Sequence, residues 1–308
     1  MTDYFLYEVG CEIKNETIGD RNVLKLRHIL HPIRSAMSLY RMMNRYVYSY
    51  FAKRQFSNIR RGRRDRCWCG GGLVPFKWHP SYGICANCGC YVNWHPPLPE
   101  ELKRLYSFDL YWRTRQRLKG HPTIEHRPVN DRSDGRVDFW LWLIERYGAS
   151  AKRVVEVGCG SGVLLAELKS CGYKCIGVEP DEQTAKWVRQ NMGLDVRPGI
   201  FPHVDLPKCD LFVALDVLEH SPNPEGFMRG AAELLNPGGV AIIQTPIDRY
   251  DYEPPFGNMF GKVFDDLEHL FIFSATSISR LVDTLELRPI ANDQWCLAHE
   301  IVVFQRNG

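Results

Sequence analysis

The stretch Val154-Val155-Glu156-Val157-Gly158-Cys159-Gly160-Ser161-Gly162 constrains this chain more than any other. A run of β-branched residues of strand length passes directly into alternating glycines, and an apolar, amphipathic segment comes next. Such a turn has to reverse the backbone tightly and let it approach a ligand with no side chain in the way, which is the work of glycine. The unit is therefore a strand, a turn and a helix, with a ligand expected at the turn. A nicotinamide fingerprint would read Gly-x-Gly-x-x-Gly. Here the third glycine, Gly162, comes one residue early, and an acid, Glu156, stands two residues before the first. The turn alone is also compatible with a purely structural corner.

The rest of the C-terminal half repeats the pattern. Strands are predicted at Arg153–Val157, Lys174–Val178, Asp210–Leu215, Val240–Gln244 and Ile301–Phe304, and helices at Gly162–Ser170 and Glu182–Asn191. Apolar strands alternating with amphipathic helices imply repeated βα units, a largely parallel sheet and a doubly wound α/β fold.

Three later segments stand in order behind the glycine turn. Gly177-Val178-Glu179-Pro180 ends the second strand on an acid. Cys209-Asp210-Leu211-Phe212-Val213-Ala214-Leu215-Asp216-Val217-Leu218-Glu219-His220 carries a strand into Asp216, and Leu235-Asn236-Pro237-Gly238-Gly239 makes a turn before the next one. From about Arg136 to the C-terminus the chain resembles class I S-adenosylmethionine-dependent methyltransferases. The resemblance implies a mostly parallel, seven-stranded, Rossmann-like sheet and a cofactor site formed by Glu156, Gly158, Cys159, Gly160, Gly162, Glu179 and Asp216. It assigns to Glu179 the ribose hydroxyls, a charge-assisted contact.

At 308 residues the chain exceeds one typical domain. A formal charge of +3 makes no strong global field, so partners have to be read from local patches. No secretory leader or membrane-spanning apolar run is visible, and a cytoplasmic protein is expected. Thiols stay reduced in that compartment. Of the 11 cysteines, those between Cys67 and Cys90 are clustered, which points to metal. Cys67-Trp68-Cys69 and Cys85-Ala86-Asn87-Cys88 offer four thiolates, suited to structural zinc in a tetrahedral site with no open position for catalysis. Cys90 is an alternative ligand, because the first pair has one intervening residue where a rubredoxin-type knuckle has two.

Residues 1–66 read as a basic helical extension, 67–99 as a zinc ribbon, 100–135 as a helical linker or lid, and 136–308 as the methyltransferase domain. Thirteen Lys or Arg against one acid, Asp65, lie between Arg21 and Arg66. If Ser35 to Phe51 is helical, Leu39, Met43, Tyr46, Val47 and Tyr50 share one face and Arg34, Arg41 and Arg45 the other. That arrangement suits packing, dimerisation or peripheral contact with an anionic membrane.

A ribbon followed by Tyr91-Val92-Asn93-Trp94-His95-Pro96-Pro97, an aromatic linker with Tyr106, Tyr111 and Trp112, and then the catalytic domain is similar to a bacterial group of deoxysugar C-methyltransferases and sugar O-methyltransferases. The acceptor is accordingly expected to be a sugar, nucleotide-sugar or lipid-linked glycan. The deoxysugar enzymes carry a further C-terminal domain of roughly a hundred residues, and Asp266 stands where their tyrosine is expected, so O-methylation is the first reading and sugar C-methylation an alternative. A hydroxyl acceptor needs a base. His269, in Asp265-Asp266-Leu267-Glu268-His269-Leu270-Phe271, is the first candidate and His220 the second, with Glu268 orienting the imidazole or binding sugar hydroxyls. For each histidine a loop-stabilising hydrogen bond is the plain alternative. Competing classes are methylation of another small metabolite or quinone-like hydroxyl, and RNA binding or RNA methylation through Arg60-Arg61-Gly62-Arg63-Arg64. A nucleic-acid partner is disfavoured by the absence of an Asn-Pro-Pro-Tyr-like motif, and a non-catalytic binding module by the presence of all three cofactor acids.

Overall fold

The computed structural model describes residues 56, 58–248, 263–296 and 299–308. The expected amphipathic helix at 35–51 lies outside them. Phe56 to Gly308 form one compact unit. Its strands, in chain order, are β1 (Leu73–Pro75), β2 (Tyr82–Cys85), β3 (Tyr91–Asn93), β4 (Arg153–Val157), β5 (Lys174–Glu179), β6 (Val196–Pro198), β7 (Cys209–Leu215), β8 (Leu235–Thr245), β9 (Ile247–Asp248), β10 (Phe271–Ser274), β11 (Leu287–Cys296) and β12 (His299–Arg306).

Seven of them make the central sheet, in the order β11-β12-β8-β7-β4-β5-β6. β4 pairs in parallel with β5 and β7, β5 with β6, and β7 with β8; β12 runs antiparallel to β8, and β11 antiparallel to β12. The sheet is thus the mostly parallel, doubly wound one that the motifs imply. β8 starts five residues before the expected Val240, because Leu235 already pairs with Cys209 across a register shift.

Strand alternation sorts the core onto two faces. Val154, Leu211, Val213, Ile242 and Val303 meet the helix Arg136–Gly148 through Trp140, Leu143 and Ile144. Val155, Phe212, Ala214, Ile243 and Val302 meet the helices Pro224–Leu234 and Ala275–Val282 on the other side. Burial on both faces explains why these strands read as continuous apolar runs.

The remaining five strands form a second sheet in the order β1-β2-β3-β10-β9. Its first three come from the cysteine-rich segment, and its last two follow β8 and the acceptor segment. Phe271 pairs with Val92 and Ile272 with Tyr91. The cysteine-rich segment is therefore built into the same sheet as residues 271–274. In the linker, helices cover Pro99–Leu105 and Arg127–Ser133, and Asp109–Arg115 is a π-helix. No helix among the described residues is long and apolar enough to cross a membrane.

Phe212 is completely buried and its ring lies 5.2 Å from that of Phe201 and 5.9 Å from that of Phe227. Phe212→Ala is expected to lower unfolding free energy by ~3–5 kcal/mol, read by urea denaturation; a loss under about 1 kcal/mol would contradict this packing.

Candidate active site

β4 ends at Val157, and the glycine turn hands the chain to the helix Val163–Ser170. Gly158, Gly160 and Gly162 all have positive φ, 72°, 52° and 74°. A Cβ would collide with Val217 at Gly158 and with Val188 at Gly162, and at Gly160 it would stand 3.3 Å from the Trp112 ring, so space as well as φ favours glycine along the turn. Cys159 is buried, and its main-chain N–H donates to Val178 O at 3.2 Å.

Glu179, at the end of β5, accepts from Gly160 N (3.1 Å) and Asp181 N (3.3 Å). Burial pushes its carboxyl up to about 7, and burial raises Glu156 to about 8. Oε2 of Glu156 is buried and makes no hydrogen bond. A turn stripped of side chains, an acid poised to accept hydroxyls and an orphaned carboxyl oxygen nearby fit a nucleoside ligand that brings its own donors. Asp216, at φ 56°, sits at the end of β7; both of its carboxylate oxygens accept from Gln244 Nε2 at 2.9 Å. Its contact to a cofactor would have to share that carboxylate with Gln244.

Across from this turn, the single turn Leu218–His220 and the loop before β10 bring His220 and His269 together, ring centroids 5.0 Å apart. His220 Nδ1 lies 2.8 Å from Glu268 O, and His269 Nδ1 lies 2.5 Å from Val263 O. A carbonyl oxygen has no hydrogen to give. Both Nδ1 atoms therefore carry a proton, and on His269, which burial keeps neutral, Nε2 presents a lone pair. His220 Nε2 lies 3.8 Å from Oε1 of the fully buried Glu219, whose Oε2 accepts from Thr245 Oγ1 at 2.9 Å. Burial, with His220 alongside, lowers His269 to about 4 and keeps it neutral at physiological pH. One ligating atom each of Glu219, His220 and His269 lie within 4.8 Å of one another, a set that would also hold a divalent cation.

Glu268 does not use its carboxylate on either histidine. It binds Arg115 and Lys119 (2.8 Å), while Asp265 receives the same two cations at 2.7 and 2.9 Å. Although burial works to protonate Glu268, Lys119 and Arg115 hold it charged. The orienting part expected of its side chain falls to its main-chain carbonyl on His220. Arg115 closes the π-helix, whose Trp112 covers the glycine turn; π-helical turns are frequent at functional sites. Tyr106 Oη lies 3.0 Å from His220 Nδ1, and the Tyr106 and Tyr111 rings are 5.4 Å apart.

The loop bearing His269 is held from the cysteine-rich side. Tyr82 Oη donates to His269 O (2.8 Å), Asn93 Nδ2 to Asp266 O (2.9 Å), and Ser81 Oγ to Asp266 Oδ2 (2.6 Å). Glu219 O accepts from Leu270 N (2.9 Å), which joins the two histidine loops.

Behind these contacts the Sγ atoms of Cys67, Cys69, Cys85 and Cys88 lie within 4.8 Å of one another, with 3.7 Å between Cys67 and Cys88 and 3.5 Å between Cys69 and Cys85. A Zn–S bond of about 2.3 Å implies a tetrahedron with edges of ~3.8 Å, so the four fit zinc. Cys90 stands apart from them, its thiol donating to Ile272 O at 3.3 Å.

A family model described as a methyltransferase domain matches residues 126–292, more than half of the chain. Ubiquinone biosynthesis O-methyltransferase of Pseudomonas aeruginosa is 28% identical over 129 residues, 39% of this chain and 54% of that protein. Its counterpart from Aromatoleum aromaticum is 24% identical over 131 residues, 40% and 55%. The chain thus spans about half the length of the curated relatives it matches. Among solved structures, magnesium protoporphyrin IX methyltransferase from Synechocystis PCC 6803 is 15% identical with a TM-score of 0.47, covering 59% of this chain and 86% of that one. Mitomycin 7-O-methyltransferase is 18% identical with a TM-score of 0.45, covering 51% and 49%.

Glu179 accepts two hydroxyl donors best as carboxylate, and because burial pushes its carboxyl up to about 7, binding of a ligand that brings such hydroxyls is expected to release a proton near neutral pH. The affinity for S-adenosylhomocysteine is expected to fall as pH drops below about 7, by up to tenfold per unit, and to level off above it. Calorimetry across pH 5.5–8.5 checks this; Glu179→Gln should bind weakly at every pH and flatten the curve.

Proposed function

This chain belongs to the methyltransferase-domain family, and from there we propose that it transfers the methyl group of S-adenosylmethionine to a hydroxyl of a sugar or glycan, with His269 as general base. The observation that carries the reading is the buried, neutral His269 imidazole, held at Nδ1 by Val263 O and lying beside His220 and the Glu219 carboxylate.

The cofactor supplies a methyl group made electrophilic by the sulfonium. Glu179, Gly158 and Gly160 hold the nucleoside end, and Trp112 covers the turn. His269 Nε2 would take the proton of the acceptor's hydroxyl, whose oxygen would receive the methyl group that the cofactor supplies as its sulfonium becomes a neutral thioether. Glu219 stabilises the imidazolium that results, and His220 Nε2 accepts from a neighbouring hydroxyl. Alignment of oxygen, methyl and sulfur supplies much of the rate, and the base contributes typically 10²–10⁴-fold.

The acceptors in view are a free sugar, a nucleotide-sugar or a lipid-linked glycan. A phenolic hydroxyl of a quinone-like metabolite is the second reading, favoured by the similarity to ubiquinone biosynthesis O-methyltransferases. Mass spectrometry of glycans, nucleotide-sugars and quinones from cells with and without the gene separates them. A methyl group lost from one sugar supports the first reading. A lost quinone methyl overturns it in favour of the second. Once an acceptor is in hand, His269→Ala should lower turnover by ~10²–10⁴-fold while affinity for S-adenosylhomocysteine stays within about twofold; equal loss of both would remove His269 from the role of base.

A further inference from the structure

In the basic run ahead of the cysteines, three arginines are paired with carboxylates: Arg60 with Glu100 and Glu101, Arg61 with Asp266, and Arg63 with Asp65. Arg64 turns inward. Its main-chain N–H donates to Trp94 O at 2.7 Å, and its guanidinium carbon lies 4.6 Å from the centre of the Phe271 ring. Nη1 is buried and makes no hydrogen bond, and among the described residues no carboxylate pairs with the group. A cation taken out of water this way is costly unless negative charge lies close by.

Phe271, under this guanidinium, packs in one buried cluster with Cys67, Cys85, Cys88 and Cys90, and Cys67 and Cys90 both favour the charged form of Arg64. Cys90 donates its S–H to Ile272 O and lies outside the set of four. Cys67 is one of the four convergent sulfurs. Protonated, those sulfurs offer Arg64 nothing. As four thiolates around one Zn²⁺ they carry two negative charges in excess, beside a guanidinium that has no carboxylate partner among the described residues.

We propose that Arg64 is the outer-sphere counter-charge of a tetrathiolate zinc site, slowing zinc loss and fixing the strand that follows His269. Phe271, which the guanidinium covers, is the first residue of β10. The same side chain thereby joins the charge of the metal site to the segment that sets the acceptor loop. This inference rests on reading the four cysteines as a zinc site, and the experiment keeps the two apart.

Zinc content of the full chain is measured by mass spectrometry, and transfer of zinc to a chromogenic chelator is timed for wild type, Arg64→Met, Arg64→Lys and Lys77→Met. Lys77 serves as control, since it lies over the Trp78 ring on the same module. Unchanged binding of S-adenosylhomocysteine reports that each variant folds. Wild type should hold one zinc, Arg64→Met should release it roughly 10- to 100-fold faster, and Arg64→Lys and Lys77→Met should stay near wild type. Release from Arg64→Met at the wild-type rate overturns the role of Arg64. A wild-type chain that holds no zinc and shows no thiolate charge-transfer band with Co²⁺ overturns the zinc site itself.

Discussion

Where Val92 meets Phe271, two strands far apart in sequence pair antiparallel, and the acceptor side of the molecule hangs on that pairing. The segment from Val263 to Leu270 is neither helix nor strand over most of its length, yet it has to hold an imidazole to within a fraction of an ångström. Polar contacts from Ser81, Tyr82 and Asn93 do this, together with the packing of Val263 and Phe264 against Phe76, Tyr82 and Tyr91. A zinc ion on the four cysteines would add rigidity to the same stretch, because the free energy of binding metal becomes free energy of folding. The cysteine site is thus remote from the chemistry but mechanically part of it.

On the opposite side the loop is gripped by charge. Arg115 and Lys119 face Asp265 and Glu268, two against two, with Arg115 and Glu268 almost fully enclosed. Such a cluster is poor evidence for net stability, since desolvation offsets most of the attraction. Its value is geometric. Removing one member would strand an opposite charge in the interior at a cost of about 3–5 kcal/mol, so the π-helix that covers the glycine turn and the loop that presents His269 are held in one arrangement. Glu268 serves both, its carboxylate on the cations and its carbonyl on His220.

The central sheet was legible because its signals are local. A β-branched run before three glycines, or an acid closing a short strand, carries its meaning within ten residues, and β4, β5 and β7 fall within a residue of where the pattern puts them. The close cysteine pairs were legible for the same reason. Features that depend on distant partners escaped. β10 reads as an ordinary apolar stretch until β3 is beside it. Glu219 was visible next to His220, but its standing between two imidazoles follows only from the hydrogen bond of Leu270 N to its carbonyl. Glu268 looked like an orienting carboxylate because the cations that claim it, Arg115 and Lys119, lie about 150 residues earlier. Asp216 keeps its place at the strand end, while its engagement with Gln244 could not be read from either segment alone.

On the proposed reading the site divides into a cofactor half built on the glycine turn and an acceptor half held by the cysteine segment. The most direct test is to strip zinc from the full chain with a chelator and measure S-adenosylhomocysteine binding and methyl transfer on the same sample, then restore zinc. Binding that survives stripping while transfer is lost, and returns with zinc, is the predicted result. Transfer that persists in the stripped protein, or cofactor binding that disappears with the metal, would contradict the division.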